Sequence, residues 1–212
     1  MAIINDRDLL LIEPSLYVDA AGAGTVLTDG TDGAVLGTSF SSAGSNFVSL
    51  DIDAGHVIVI DGEACEVIER VSMTALDVSA PRASLDDPLI APGDGTGLVF
   101  SLPSFGRIID QAQAWTFGAL GIDPDHPTRP LDESAIINPD PVKRFIALRA
   151  VRLAFAAAAA LDPTSESLAE RSSLYHRRCS EAMHNLNAML DLNGDGVVDT
   201  ARRIDVVNLS RV

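Results

Sequence analysis

Residues 56–62 read His56-Val57-Ile58-Val59-Ile60-Asp61-Gly62, an apolar run that ends in a turn dipeptide. Consecutive β-branched residues favour a strand, and Asp-Gly is typical of the tight turn that joins two antiparallel strands. Shorter runs of the same kind occur at residues 25–27, 47–50, 66–70 and 76–78, with further Asp-Gly pairs at 29–30 and 32–33. The pattern predicts a small all-β, barrel-like module over residues 21–80.

The pattern changes from strand to helix after residues 81–103, a passage rich in Pro and Gly that we interpret as a connecting loop. Apolar residues recur at helical spacing over residues 107–120, and Gly121 is expected to end that helix. Two more helices are predicted over residues 142–161, which are rich in alanine, and over residues 165–190.

Together these segments predict an α+β fold. An antiparallel α-helical bundle is expected from residues 1–20 and 104–198, with the all-β module as an insertion near the N-terminus. Residues 199–212 are expected to form a C-terminal extension. A chain of 212 residues with 47% hydrophobic content is long enough and apolar enough to bury a core.

Charge is distributed unevenly along the chain, whose formal net charge is -15. Residues 1–100 contain 16 acidic and 3 basic residues, whereas residues 101–212 contain 14 and 12. Because nucleic-acid binding depends on neutralising phosphates with Lys and Arg, this composition argues against nucleic-acid binding by the molecule as a whole.

Signals for disulfides, export and membrane insertion are missing from the sequence. Cys65 and Cys179 lie far apart and outside any metal-ligand spacing. The run Asn5-Asp6-Arg7-Asp8 interrupts the first apolar residues, and the apolar stretch 155–161 is far shorter than the roughly 20 residues of a membrane span. We expect a protein that is neither exported by such a signal nor embedded in a membrane.

No catalytic constellation is evident, so we expect no enzymatic activity. The sequence contains neither a nucleophile elbow nor a phosphate-binding P-loop, and His176 and His184 would lie about 12 Å apart along one helix. Cys179 is expected in the core. Trp115 and Tyr175 are candidate interface anchors, although their helical positions favour a core role for both.

The segment 191–199 resembles the first part of a calcium-binding EF-hand loop. Its candidate ligands are, in order, Asp191, Asn193, Asp195, Val197 through its carbonyl, and Asp199, with glycine at the sixth position. Arg202 stands at the twelfth position, where an acidic residue normally completes the site. The alternative interpretation is an Asx-type turn without an ion, so calcium is the only cofactor that the sequence suggests.

Arginines are concentrated in the last predicted helix and the tail, opposite in charge to the N-terminal half. The chain has a single lysine, Lys143. Arginine suits interfaces because it binds carboxylates in a bidentate manner, although genomic base composition explains the preference equally well. Head-to-tail packing of identical subunits would pair the acidic and the basic regions.

The combination of an apolar entry from Asp8 to Pro14, a β-rich insertion, antiparallel helices and the motif from Asp191 to Arg202 resembles a known family. It is similar to the head-to-tail connector, or adaptor, proteins of tailed bacteriophages and related gene-transfer particles. The resemblance implies a structural virion protein that forms a homo-oligomeric ring between portal and tail, assembled in the host cytoplasm and without membrane contact. DNA would pass through that ring without specific binding.

The resemblance also implies partners and a docking segment. The partners would be the portal protein and tail or stopper/terminator proteins, bound through the C-terminal extension. The implied partner-binding residues are Arg202, Arg203, Ile204, Val206, Val207, Leu209 and Arg211. Truncation after Asp199 is then expected to abolish partner binding and to leave the fold intact. The competing functions are a calcium-dependent protein-binding module and, third, an enzyme accessory subunit.

Overall fold

The computed structural model describes residues 3–127 and 130–204, which form five α-helices and eight β-strands. The elements are, in chain order, α1 (Asp6–Ile12), α2 (Leu16–Asp19), β1 (Thr25–Leu36), β2 (Ser39–Ser41), β3 (Val57–Ile60), β4 (Glu63–Arg70), β5 (Ala75–Ser79), β6 (Gly95–Ser104), α3 (Gly106–Leu120), α4 (Pro139–Leu161), α5 (Glu166–Asn185), β7 (Ala188–Leu190) and β8 (Thr200–Arg202). We call strands β1 to β6 the barrel and helices α1 to α5 the helical lobe.

Six strands close into an antiparallel barrel in the order β1-β2-β5-β4-β3-β6, with β6 paired back onto β1. Closure leaves no unpaired strand edge in this sheet. Its interior is filled by apolar side chains, among which the rings of Phe40 and Phe100 meet edge to face at 5.0 Å. The barrel therefore has a hydrophobic core of its own.

The prediction of a helical bundle with a small barrel-like insertion is wrong. The protein is α+β, but the closed barrel is a principal part of its core, and it extends to residue 104. Part of the predicted connecting loop, 81–103, is the ten-residue strand β6. Gly95, Gly97 and Pro103 weaken its local strand signal, but pairing with both β1 and β3 holds it in the sheet.

Two of the three Asp-Gly pairs that were interpreted as turns lie inside the long strand β1. Register shifts between Gly30 and Gly33 mark an irregularity there. A Cβ atom on Gly30 would come within 2.7 Å of the Phe100 ring, so glycine makes room for the barrel core. Asp61-Gly62 is a turn as predicted, with φ angles of 48° and 87°. The predicted strand 47–50 is a turn.

The helical lobe is organised around α4, ten of whose 23 residues are buried, with α3 and α5 packed against it. Helix α3 ends at Gly121, which adopts φ 66°, as the sequence predicted. Helix α5 ends at Asn185, earlier than predicted, because residues 188–190 form β7. No helix in the described ranges is long and apolar enough to cross a membrane.

Strand β3 joins the two regions because both of its faces are buried. Ile58 and Ile60 point into the barrel core, whereas Val57 and Val59 pack into the core of the helical lobe. Alternation along a strand produces this division, and burial of both faces explains the unbroken apolar run at residues 57–60.

Two buried carboxylates strengthen the same junction. Glu66 of β4 forms ion pairs with Arg7 of α1 and, at 2.6 Å, with Arg82 of the segment before β6. Asp6 of α1 accepts hydrogen bonds from the Phe105 amide at 2.8 Å, the Ser104 hydroxyl at 2.7 Å and the Tyr17 hydroxyl at 3.0 Å. Glu66 links β4 to α1 through Arg7, and Asp6 links α1 to the end of β6 through Ser104 and Phe105.

Candidate functional site

The predicted loop 191–199 connects β7 to β8 in a two-stranded antiparallel hairpin. The Asp191 carboxylate is buried and accepts amide hydrogen bonds from Asn193 at 3.1 Å, Gly194 at 2.7 Å and Gly196 at 2.6 Å. The amide of Gly196, followed by those of its neighbours, lowers the pKa of Asp191 below its usual value of 3.8. The loop is thus folded around one ionised carboxylate.

The other side chains among the candidate ligands also accept hydrogen bonds from backbone amides of the loop. Asn193 Oδ1 accepts from the amide of Asp195, and Asp195 Oδ1 accepts from that of Val197 at 2.8 Å. Asp199 Oδ2 accepts from the amide of Leu192 at 2.7 Å. Among residues 3–127 and 130–204, no group of three or more His, Cys, Asp or Glu side chains could hold a metal ion. Calcium binding by the loop stays a prediction.

Arg202, predicted to contact a partner, binds the end of a helix in its own chain. Its Nη1 donates to the carbonyl of Leu120, the last residue of α3. A side chain at Gly121 would collide with this guanidinium, so the glycine that ends α3 also admits the arginine. The cation satisfies a helix C-terminal carbonyl and complements the helix dipole.

Arg203 and Ile204 are also held against the helical lobe. Arg203 Nη2 donates to the carbonyl of His184, near the C-terminal end of α5, at 3.0 Å. Ile204 packs, partly buried, on the core of the helical lobe. The other predicted docking residues, Val206, Val207, Leu209 and Arg211, lie outside the described residues.

A groove of about 910 Å³ runs between the first half of α4 and the second half of α5. Apolar side chains including Phe145, Leu148 and Leu186 line it, and Arg144 and Arg178 stand among its charged residues. The groove begins near the point where Arg203 meets α5, since Asn185 and Leu186 follow His184 directly.

The two candidate aromatic anchors occupy different environments. Tyr175 is fully buried, and its ring stacks on Phe155 with centroids 5.6 Å apart, so its core interpretation is confirmed. Trp115 is 41% exposed on α3, and the core interpretation is wrong for it. The guanidinium of Arg149 on α4 covers the Trp115 ring at 3.6 Å from the centroid. This pair could not be recognised from the sequence, because the two residues come from different helices.

The cysteines are unsuited to nucleophilic chemistry. Burial raises the pKa of the Cys65 thiol to about 11 and also raises the pKa of Cys179. Both thiols are therefore protonated at neutral pH, and a thiolate is the reactive form. Cys179 is buried, as predicted. His176 and His184 are exposed on α5.

No family model, curated protein or solved structure matches this chain.

Proposed function

We propose that this protein is a structural, non-enzymatic subunit of a tailed bacteriophage or a related gene-transfer particle. It acts as a head-to-tail connector, or adaptor, whose copies form a ring between portal and tail. The subunit assembles in the host cytoplasm, becomes part of the virion and docks through its C-terminal segment.

The main support for the proposal is that the residues just before the C-terminal segment are bound to the helical lobe. Arg202 and Arg203 attach β8 and its continuation to the C-terminal ends of α3 and α5. The chain therefore reaches residue 204 at a defined place on the helical lobe, and the proposed docking segment follows it.

The charge distribution supports the role of a DNA conduit. The net charge of -15 gives the ring a surface that repels the phosphate backbone on average. DNA would then pass through without specific binding.

The proposal is tested by affinity purification of the tagged full-length chain from cells that express its native neighbours. We expect portal, tail or stopper/terminator proteins to be recovered and identified by mass spectrometry. Recovery of no particle protein would overturn the connector assignment.

A truncation after Ile204 tests the docking segment most directly, because it removes only residues 205–212. Truncation after Asp199 also removes β8, Arg202 and Arg203, so the expectation that it leaves the fold intact is revised. We expect the shorter deletion to abolish capture with little change in melting temperature. Replacing Val206, Val207 and Leu209 with serine should have the same effect, whereas Asn208→Ala with Ser210→Ala serves as the matched control.

The same purification separates the calcium-dependent binding module from the connector. The pattern of oxygen-bearing residues from Asp191 to Asp199 is what favours that alternative. Capture of other proteins that requires calcium and is lost with a chelator would favour the module. Capture of particle proteins in both conditions supports the connector.

A further inference from the structure

Trp115 projects from an exposed face of α3. Three of its exposed neighbours, Ala114, Gly118 and Ala119, are small, and Gln111 lies one turn before it. A Cβ atom added to Gly118 would meet nothing within 4 Å, so the surface beside the indole is open. An exposed tryptophan among small residues offers a large apolar area to a partner at little entropic cost, which is typical of interface anchors.

Arg149 of α4, beside Trp115, has no carboxylate partner among the described residues. Arg149 stacks on the indole, and its Nε is buried without a hydrogen-bond acceptor. Within residues 3–127 and 130–204, Arg149 forms no ion pair, whereas Arg152, one turn further along α4, is hydrogen-bonded to Cys179 of α5. Burial lowers the pKa of Arg149, and the charge of Arg152 acts in the same direction. The Arg149 residue as a whole is partly exposed, and a carboxylate supplied by a partner would compensate its charge.

The barrel carries the opposite excess of charge. The three basic residues of the first 100 are already engaged, Arg7 and Arg82 with Glu66, and Arg70 with Asp51 and Asp53. Exposed carboxylates elsewhere on the barrel have no basic neighbour within the described chain, and Asp29 and Asp61 are examples.

A hollow of about 250 Å³ lies where β1, β6 and β3 meet. The exposed side chain of Val99 is its accessible apolar wall, whereas Val59 and Phe100, which also line it, are buried, and Gly30 and Gly62 add no side chains. Asp29 lines the hollow, and Asp61 lies beside it, since its carboxylate accepts the Val99 amide at 2.9 Å. Val99 is 58% exposed. The hollow thus combines an apolar wall with carboxylates.

We infer that Trp115 of one copy inserts into the hollow beside Val99 on a second copy of the chain, where Arg149 faces Asp29 and Asp61. An indole covered by a guanidinium group complements a hollow that combines an apolar wall with carboxylates. The two surfaces are different, so the contact is head-to-tail and repeats from subunit to subunit. The inference rests on the proposed ring of identical subunits and names the contact that builds it.

Sedimentation velocity of the full-length protein over a concentration series tests this contact. We expect wild type to self-associate and the association to weaken as ionic strength rises from about 0.05 to 0.5 M, because salt screens the charges at the rim. Trp115→Ala should weaken association at least about tenfold. Leu161→Ala is the matched control, since Leu161 is 69% exposed at the far end of α4, and it should leave association unchanged.

A charge exchange tests which surfaces meet. Arg149→Glu and Asp29→Arg should each weaken self-association when present alone. An equimolar mixture of the two variants should restore it, because the reversed surface of one variant then faces the reversed surface of the other. Melting temperatures and circular dichroism of each variant establish that its fold is retained.

The outcomes separate this contact from the proposed function. Association that is unaffected by Trp115→Ala and Asp29→Arg would overturn the contact and leave the ring standing. A wild-type protein that stays monomeric at every concentration would overturn both the contact and self-assembly into a ring. Association that depends on Trp115, with no portal or tail protein captured, would support the contact and overturn the connector assignment.

Discussion

The barrel and the helical lobe each bury a carboxylate, but they surround it with different groups. In the barrel, Glu66 lies between the guanidinium groups of Arg7 and Arg82. In the helical lobe, Asp6 is held by hydroxyl groups and a backbone amide, and burial raises its pKa above the usual 3.8. The Glu66 site therefore depends on compensation between opposite charges, whereas the Asp6 site is compatible with an uncharged side chain.

This difference determines how each site tolerates substitution. Removing the charge of Glu66 would leave two buried or half-buried cations without a counter-ion, which is costly in a poorly solvated environment. Removing the charge of Asp6 takes away a negative charge that burial already disfavours.

The largest effect is expected from Glu66→Gln. The uncompensated guanidinium groups should lower the free energy of unfolding by about 3–5 kcal/mol, measured by urea denaturation. Glu69→Gln on the same strand is the control, because Glu69 is exposed, and its effect should stay within about 0.5 kcal/mol. If Glu66→Gln lowers the free energy of unfolding by less than about 1 kcal/mol, the ion pairs of Glu66 with Arg7 and Arg82 contribute little to the junction.

A smaller effect is expected at the arginines that bind helix ends. Arg202→Ala removes a charged donor from the Leu120 carbonyl and should destabilise the protein by about 1–2 kcal/mol. Arg203 is exposed, so solvent replaces its bond to His184 more easily, and Arg203→Ala should cost less than about 0.5 kcal/mol. Equal losses would show that the partial burial of Arg202 has no energetic consequence.

The contribution of Asp6 to the stability of the fold should depend on pH. Because the pKa of Asp6 is raised in the folded state, its contribution is fully present below the unfolded value of 3.8 and is lost as pH rises through the folded pKa. Asp6→Asn stays neutral at every pH. The melting temperature of the variant minus that of wild type should therefore increase with pH over this interval. A difference that stays constant with pH would contradict the raised pKa.

The parts of the fold that sequence predicted are those fixed by neighbouring residues. Gly121 ends α3 because the left-handed conformation suits glycine, and Asp61-Gly62 forms a turn for the same local reason. Strand β6 could not be recognised in this way, because pairing with β1 and β3 outweighs its Gly and Pro content. Because β6 was not recognised, the prediction of the barrel as a small insertion was also wrong.

At the candidate site, too, features that depend on neighbouring residues were recognisable in the sequence, and features that depend on distant residues were not. The loop 191–199 was recognisable as a tight turn or ion site because its spacing is local. The role of Arg202 was not recognisable, since Leu120 lies 82 residues away along the chain. Likewise, nothing near Trp115 in the sequence indicated that Arg149 would cover its ring.

Asp191 extends the comparison of buried carboxylates and leads to the smallest expected effect. Backbone amides alone hold it, and they lower its pKa, in contrast to Asp6. Its oxygens hold amides already, and Arg202 occupies the position of the closing ligand, so calcium at about 1 mM should move the melting temperature by less than about 1 °C. Magnesium at the same concentration is the control for ionic strength. A larger rise with calcium alone, abolished in Asp195→Asn, would mean that the loop exchanges its amide contacts for an ion and would favour the calcium-dependent module.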